Sequence, residues 1–145
     1  MIEIVGIADI VDSNISDIRH FNKIKELFDQ INPEILFHMA AQPLVRVSYS
    51  NPIETYETNI LGTVNILEAS RNCESLKAIV NITSDKCYEN LEIERGYKEH
   101  EPMGGHDPYS SSKACAELVS AAYRLSFLKE EGIAMATARA GNVIC

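Results

Sequence analysis

The sequence predicts an α/β fold, a parallel sheet with helices on its faces. Two patterns carry that expectation. Apolar stretches of helical period alternate with short β-branched runs along the chain, and such alternation builds parallel sheets. One run, Ala78-Ile79-Val80-Asn81-Ile82, breaks off into Thr83-Ser84-Asp85-Lys86, as a buried strand does where it leaves a sheet. At 145 residues the chain is one domain at most, long enough to bury a core.

The elements follow in order. Residues 2–8 and 10–16 are mixed, and Ile2, Ile4 and Ile7 suggest a strand or a packed loop. Asp17 is placed to cap the next helix or to meet a ligand. Over residues 20–31, Phe21, Ile24, Leu27, Phe28 and Ile31 recur at helical spacing and make one apolar face. Asn32-Pro33 stops that helix. Glu34 to Ala41 reads as a short buried strand ending in two small residues, which let a flat ligand approach the backbone or simply permit close packing. His38 reads as structural, since no acid or cysteine partners it nearby.

Gln42 to Asn51 is expected to be a loop containing Arg46. Pro52 then opens a helix to about Arg71, with Ile53, Tyr56, Ile60, Val64 and Leu67 as its inner stripe. Asn59 lies near that stripe, and a buried amide needs partners. Residues 89–106 are polar and rich in turns, and so long a loop often serves as a lid or a specificity loop. Asp107 can cap a helix that Pro108 opens. That helix runs to about Glu131, with Ala114, Leu118, Ala121, Ala122 and Leu125 inward, and Gly132 ends it. Ile133 to Arg139 is the last strand, and Ala140-Gly141-Asn142 starts the loop after it.

Chemistry concentrates at two places. Sites in open α/β sheets form beyond the carboxyl ends of the strands, where Ser84, Asp85 and Lys86 fall. Tyr109 and Lys113 stand four apart on the helix, so they share one face, a turn apart. A cation beside a phenol favours the phenolate, which makes such a tyrosine a candidate base. Alone the pair is weak, because an exposed Tyr and a solvated Lys fit the same spacing. After a strand ending in Ser-Asp-Lys it is far more specific.

Composition narrows the function. The formal net charge is -8, with 46% hydrophobic and 23% charged residues. That balance argues against a nucleic-acid or anionic-membrane partner. No apolar run is long enough to span a bilayer. Met1-Ile2-Glu3-Ile4 has an early acid and no basic stretch, unlike a secretory signal. Cys73, Cys87, Cys115 and Cys145 show no CxxC or metal-ligand spacing, and such usage fits a reducing cytoplasm. No metal site is expected.

Four segments carry a resemblance: HMAAQPLVRVSYSNPIETYETNILGTVNILEASR, VNITSDKCYEN, GYKEHEPMGGHDPYSSSKACAELV and ARAGNVI. With them the chain resembles the extended short-chain dehydrogenase/reductase superfamily, and within it the 4,6-dehydratases that act on CDP-glucose. The resemblance implies a partial Rossmann-type doubly wound sheet holding NAD. It implies conversion of CDP-glucose to CDP-4-keto-6-deoxyglucose, a step towards deoxysugars of bacterial surface polysaccharides, in a homodimer.

By the same resemblance, Tyr109 takes the proton from the sugar 4-hydroxyl while hydride leaves C4 for NAD. Lys113 supports Tyr109 and holds the nicotinamide ribose, and Ser84 hydrogen-bonds the 4-oxygen. Asp85 donates a proton to the departing 6-hydroxyl, and Lys86 takes the C5 proton. Hydride returns to C6, so NAD is not consumed. TDP-glucose relatives carry Asp-Glu at this pair, and Lys86 belongs to the CDP type. Asp17 and Ile18 match the pair that meets adenine. Ala40, Ala41 and Gln42 match the segment lining the cofactor. Thr58 and Asn59 match a structural pair under the site, Asn142 a residue near the substrate phosphate, and Arg46 a family arginine without an assigned role.

The departures are specific. No GxxGxxG turn is present, and the family continues past the position of Cys145 into a substrate domain. Residues 1–145 are therefore expected to be part of an NAD-binding domain, with weak or no NAD binding and no activity alone. His106 stands where relatives usually have Tyr, and Arg95 where they have Trp. Two alternatives stay open: a nucleotide-sugar epimerase of the same superfamily, which shares Ser84, Tyr109 and Lys113, and a non-catalytic remnant.

Overall fold

The computed structural model describes residues 10–142. The expected strand or packed loop at 2–8, and Cys145, lie outside the described residues. Helix α1 (Phe21–Ile31) leads into strand β1 (Ile35–His38). Helix α2 (Val45–Ser50) and helix α3 (Pro52–Tyr56) follow, and a π-helical turn (Glu57–Leu61) joins α3 to α4 (Gly62–Ser70). Strand β2 (Ala78–Ile82) ends in a 3₁₀ turn (Asp85–Cys87). Helix α5 (Pro108–Tyr123), a second π-helical turn (Arg124–Leu128) and β3 (Ala134–Ala138) complete the order.

The three strands run parallel in the order β1-β2-β3, with Ile35 opposite Ala78 and Ile79 opposite Met135. The α/β alternation read from the sequence is the architecture found. Ile24, Phe28, Ile66, Leu67, Ile79, Leu128 and Met135 build the main core. Asn32 closes α1 in the left-handed region at φ 47°, and its N–H bonds back to Phe28 O.

Several local expectations are corrected. The strand after Pro33 is shorter than expected and not buried throughout: Ile35 is 59% and Phe37 62% exposed. Among the described residues β1 pairs with β2 alone, at one end of the strand order. Part of the expected 42–51 loop is helix α2. Asp17 does not cap α1; His20 occupies that position without a side-chain bond.

The inner faces of the two long helices also differ from the apolar stripes expected. Ile53 is exposed, whereas Thr55, Asn59, Thr63, Ile66 and Ser70 are buried. The π turn adds a residue to one turn, so the buried face shifts phase within a single helical run. Leu118 on α5 and Leu125 in the π turn after it face outward, while Ser112, Lys113, Glu117 and Ser120 are buried. A polar helix face can be buried only when it is paired. Among the described residues no buried side-chain nitrogen or oxygen lacks a hydrogen-bond partner.

Candidate active site

Three side-chain ties hold α5 against the end of β2. Asn81 donates to Ser120 Oγ at 2.9 Å. The Thr83 hydroxyl donates to Glu117. Lys113 Nζ donates to Ile82 O at 3.2 Å. Sequence reading missed the first two because they link distant segments. Glu117, four residues after Lys113, could have been found as the next position on the same helix face.

The helix start is fixed as its residues require. Asp107 Oδ1 accepts from Ser110 N at 2.9 Å, and Asp107 Oδ2 accepts from Ser110 Oγ at 2.6 Å. Pro108 occupies the first turn, where its missing N–H costs nothing. Asp107 and Ser110 then line a cavity of about 540 Å³ together with Asp85, Lys86, Tyr88, Tyr97 and His106. The strand tip and the first turn of α5 thus open onto one space.

Ser84 is buried and caps the 3₁₀ turn, accepting from Lys86 N at 3.2 Å and donating to Asp85 Oδ1 at 3.1 Å. Lys86 Nζ stands 3.3 Å from the same Asp85 oxygen. A hydroxyl, a carboxylate and an amine therefore form one contiguous group. Asp85 and Lys86 are both exposed at the cavity wall, which leaves them free to meet a ligand. Tyr109 is buried on the first turn of α5, and Lys113 lies one turn on, 7% exposed. Burial lowers the Lys113 pKa. Burial also pushes the Cys87 thiol up to about 11, so this neighbour of Lys86 is no nucleophile.

Gln42 is tied into the helices: its N–H donates to Asn59 Oδ1 at 2.8 Å, and its side chain donates to Thr55 Oγ1 at 2.9 Å. Asn59 also donates to Ser112 Oγ at 2.8 Å, beside Lys113. Asn142 is exposed at the end of a segment that passes Asp85, whose N–H bonds Ala140 O at 3.0 Å. Arg46 is exposed on α2. Asp17 and Ile18 lie apart from this group, at the entry to α1. Arg19 Nη2 grips Asp17 Oδ2 at 2.6 Å and holds its carboxyl down at about 2. Ile18 packs over Gly62.

His38 is structural, as its surroundings in the sequence suggested. Thr63 donates to Asn59 O at 2.8 Å, so His38 Nε2 donates to Thr63 Oγ1 at 3.1 Å. Burial, and then the charge of Lys113, depress its pKa to about 4.

Whether these residues fit a dinucleotide can be tested on their free polar groups. Of the three N–H donors of Lys113, one goes to Ile82 O, leaving donors for a ribose. Ala40 is exposed just past β1, with no side chain beyond Cβ to block a flat ring. The nicotinamide–ribose end fits. At the other end, Asp17 has Arg19 on both carboxylate oxygens.

Fold and site together define a Rossmann-type member of the short-chain dehydrogenase/reductase superfamily. A family model described as GDP-mannose 4,6 dehydratase matches residues 9–142, and the chain belongs to that family. The chain is 55% identical to the CDP-glucose 4,6-dehydratase of Salmonella typhimurium over 99% of its own length and 42% of the relative's. Among solved structures it resembles a dTDP-glucose 4,6-dehydratase of Streptomyces venezuelae with NAD bound, at TM-score 0.74 and 25% identity over 86% of this chain and 36% of that one. It also resembles a UDP-glucose 4-epimerase of Thermus thermophilus in complex with NAD, at TM-score 0.74 and 30% identity over 86% and 39%. The chain spans under half the length of these relatives. No described helix is long and apolar enough to cross a membrane.

Proposed function

We propose that this chain carries the acid–base part of an NAD-dependent CDP-glucose 4,6-dehydratase. The observation that supports it most is the cavity shared by Asp85, Lys86 and the first turn of α5. The 55% identity to a CDP-glucose 4,6-dehydratase supports the nucleotide. In this reading a nicotinamide, when bound, supplies the hydride acceptor and later the hydride donor. Lys113 holds its ribose, with Ala40, Ala41 and Gln42 along its path and Asp17 and Ile18 toward adenine.

The chain's own groups do the proton work. Tyr109 takes the proton of the sugar 4-hydroxyl, and Ser84 donates to the 4-oxygen after leaving Asp85. The 4-ketone makes the C5 proton acidic. With the proton shared by the pair passed from Lys86 to Asp85 across their 3.3 Å contact, the Lys86 amine removes the C5 proton and the Asp85 carboxyl gives its proton to the departing 6-hydroxyl, so water is lost across C5 and C6. General acid–base pairs of this kind contribute roughly 10²–10⁴-fold to rate. Asn142 serves the substrate phosphate. The product feeds deoxysugar synthesis for a surface polysaccharide such as an O-antigen, in the cytoplasm. The second face of the helices, with Ile53, Leu61, Leu118 and Leu125 exposed, packs against a second copy in a homodimer.

Turnover belongs to the whole enzyme, since the relatives extend well beyond the span they share with this chain. The test is CDP-glucose with the full-length protein, read by the alkali-induced absorbance of a 4-ketosugar. Appearance of that signal supports the dehydratase. An epimerase shares Ser84, Tyr109 and Lys113 but has no use for Asp85 and Lys86. Epimerised CDP-hexose without loss of water would overturn the assignment.

A further inference from the structure

We propose that Arg139, seated on Glu117, is a positioning residue that fixes the 89–106 loop over the Asp85–Lys86 cavity. The proposal deepens the dehydratase reading and rests on it for what the loop covers. Glu117 is 5% and Arg139 13% exposed at the side chain. Arg139 Nη2 donates to Glu117 Oε2 at 3.0 Å, Thr137 donates to the same oxygen at 2.9 Å, and Thr83 donates to the other oxygen. One carboxylate thus gathers the tip of β2, helix α5 and the end of β3. Burial pushes the Glu117 carboxyl up, but these hydrogen bonds outweigh it and hold it below its ordinary value.

From that seat Arg139 reaches the loop with its remaining surface. Nη1 donates to Glu99 O at 3.0 Å, and Nη2 lies 3.9 Å from Met103 Sδ. The guanidinium sits 4.8 Å from the centre of the Tyr88 ring, and Tyr97 stacks on Tyr88 at 5.0 Å. Both tyrosines line the cavity with Asp85 and Lys86. The loop closes on itself through Glu89 N to Pro102 O and the Arg95–Glu101 pair, and Gly104 N donates to Cys87 O of the 3₁₀ turn. Among the described residues, Arg139, one position past β3, makes the only side-chain hydrogen bonds that reach residues 89–103 from outside that segment. A buried ion pair is a poor source of net stability. A planar guanidinium that satisfies a carboxylate, a carbonyl and an aromatic face at once is a good placing device.

Arg139→Lys separates placing from folding. Lysine keeps a charge for Glu117 but loses the second nitrogen for Glu99 and the flat face for Tyr88. In hydrogen exchange of the protein, peptides covering 89–104 should exchange roughly tenfold faster or more in the variant, by local opening, while peptides across β2 exchange as in the parent. In the whole enzyme the same variant should raise KM for CDP-glucose and leave kcat in place. Loop protection equal to the parent's, or acceleration of loop and β2 together, would overturn the proposal, as would a fall in kcat with KM unchanged. Exchange is read without substrate, so its outcome is independent of whether the dehydratase reading holds.

Discussion

Lys113 spends one of its N–H donors on the carbonyl of Ile82, 3.2 Å away. The bond joins a helix position one turn past Tyr109 to a strand position two residues before Ser84. With the Asn81–Ser120 and Thr83–Glu117 bonds it holds α5 against the end of β2, next to Ser84. Lys113→Met keeps the length of the side chain and removes its charge. Turnover in the whole enzyme should fall by roughly 10²–10⁴-fold, measured as ketosugar formed from CDP-glucose. Stability should hold or rise, because a buried ammonium is costly to desolvate. A urea midpoint well below the parent's would mean that the Ile82 bond outweighs that cost.

His38 should make the protein acid-sensitive. Its folded pKa of about 4 lies below the ordinary 6.5 because burial, then the Lys113 charge, disfavours the imidazolium. The unfolded chain therefore binds the extra proton more readily. The contribution is fully present above about pH 6.5 and is lost as pH falls toward 4, for a total on the order of 3 kcal/mol. Urea unfolding at pH 7 and pH 4.5 should show a larger acid loss in the parent than in His38→Gln. Equal losses would place the acid sensitivity elsewhere.

Much of this was legible in the residues. The Ala78–Ile82 run ending in polar residues announced the strand tip, and Asp107-Pro108 announced the helix start. Both signals are local. Helix α2 was not legible: Val45–Ser50 is rich in β-branched residues, and its helical state depends on distant partners such as Asn59, which holds Gln42. For a different reason the inner faces of the long helices were read only in part, Leu67 and Ala114 being buried as expected. A π turn leaves no mark in composition, and the buried stripes are polar, satisfied by bonds across dozens of residues. The Glu117–Arg139 pair was hidden in the same way.

Asn59 is the point where those distant bonds meet. It accepts from Gln42 N and donates to Gln42 O at 3.1 Å and to Ser112 Oγ. Asn59→Ala strips partners from the segment after β1 and from α5 together. Leaving buried polar groups unpaired costs about 1–3 kcal/mol each, so the variant should lose several tenths of a molar in urea midpoint or more. Asn59→Asp keeps the acceptor for Gln42 N but sets a buried carboxylate oxygen against Gln42 O, and should lose at least as much as Asn59→Ala. A neutral Asn59→Ala would show that α5 needs no tie to the segment after β1.

Gly105 tests how closely the 89–106 loop lies on α5. A Cβ there would stand 2.5 Å from Ser111 N and 2.7 Å from Ser110 C, which are backbone atoms of the helix's first turn. Neither can move without disturbing the Asp107 cap. Gly105→Ala should therefore lose about 1–3 kcal/mol, the usual cost of overpacking. Gly96, in the same loop, has no atom within 4 Å of its would-be Cβ, so Gly96→Ala should stay within about 0.5 kcal/mol of the parent. The comparison is made by urea midpoints of the two variants. In the whole enzyme Gly105→Ala should also slow ketosugar formation, because relieving the clash shifts His106 and Asp107 at the cavity wall. If Gly105→Ala is as stable as Gly96→Ala, the loop does not rest on the helix as described.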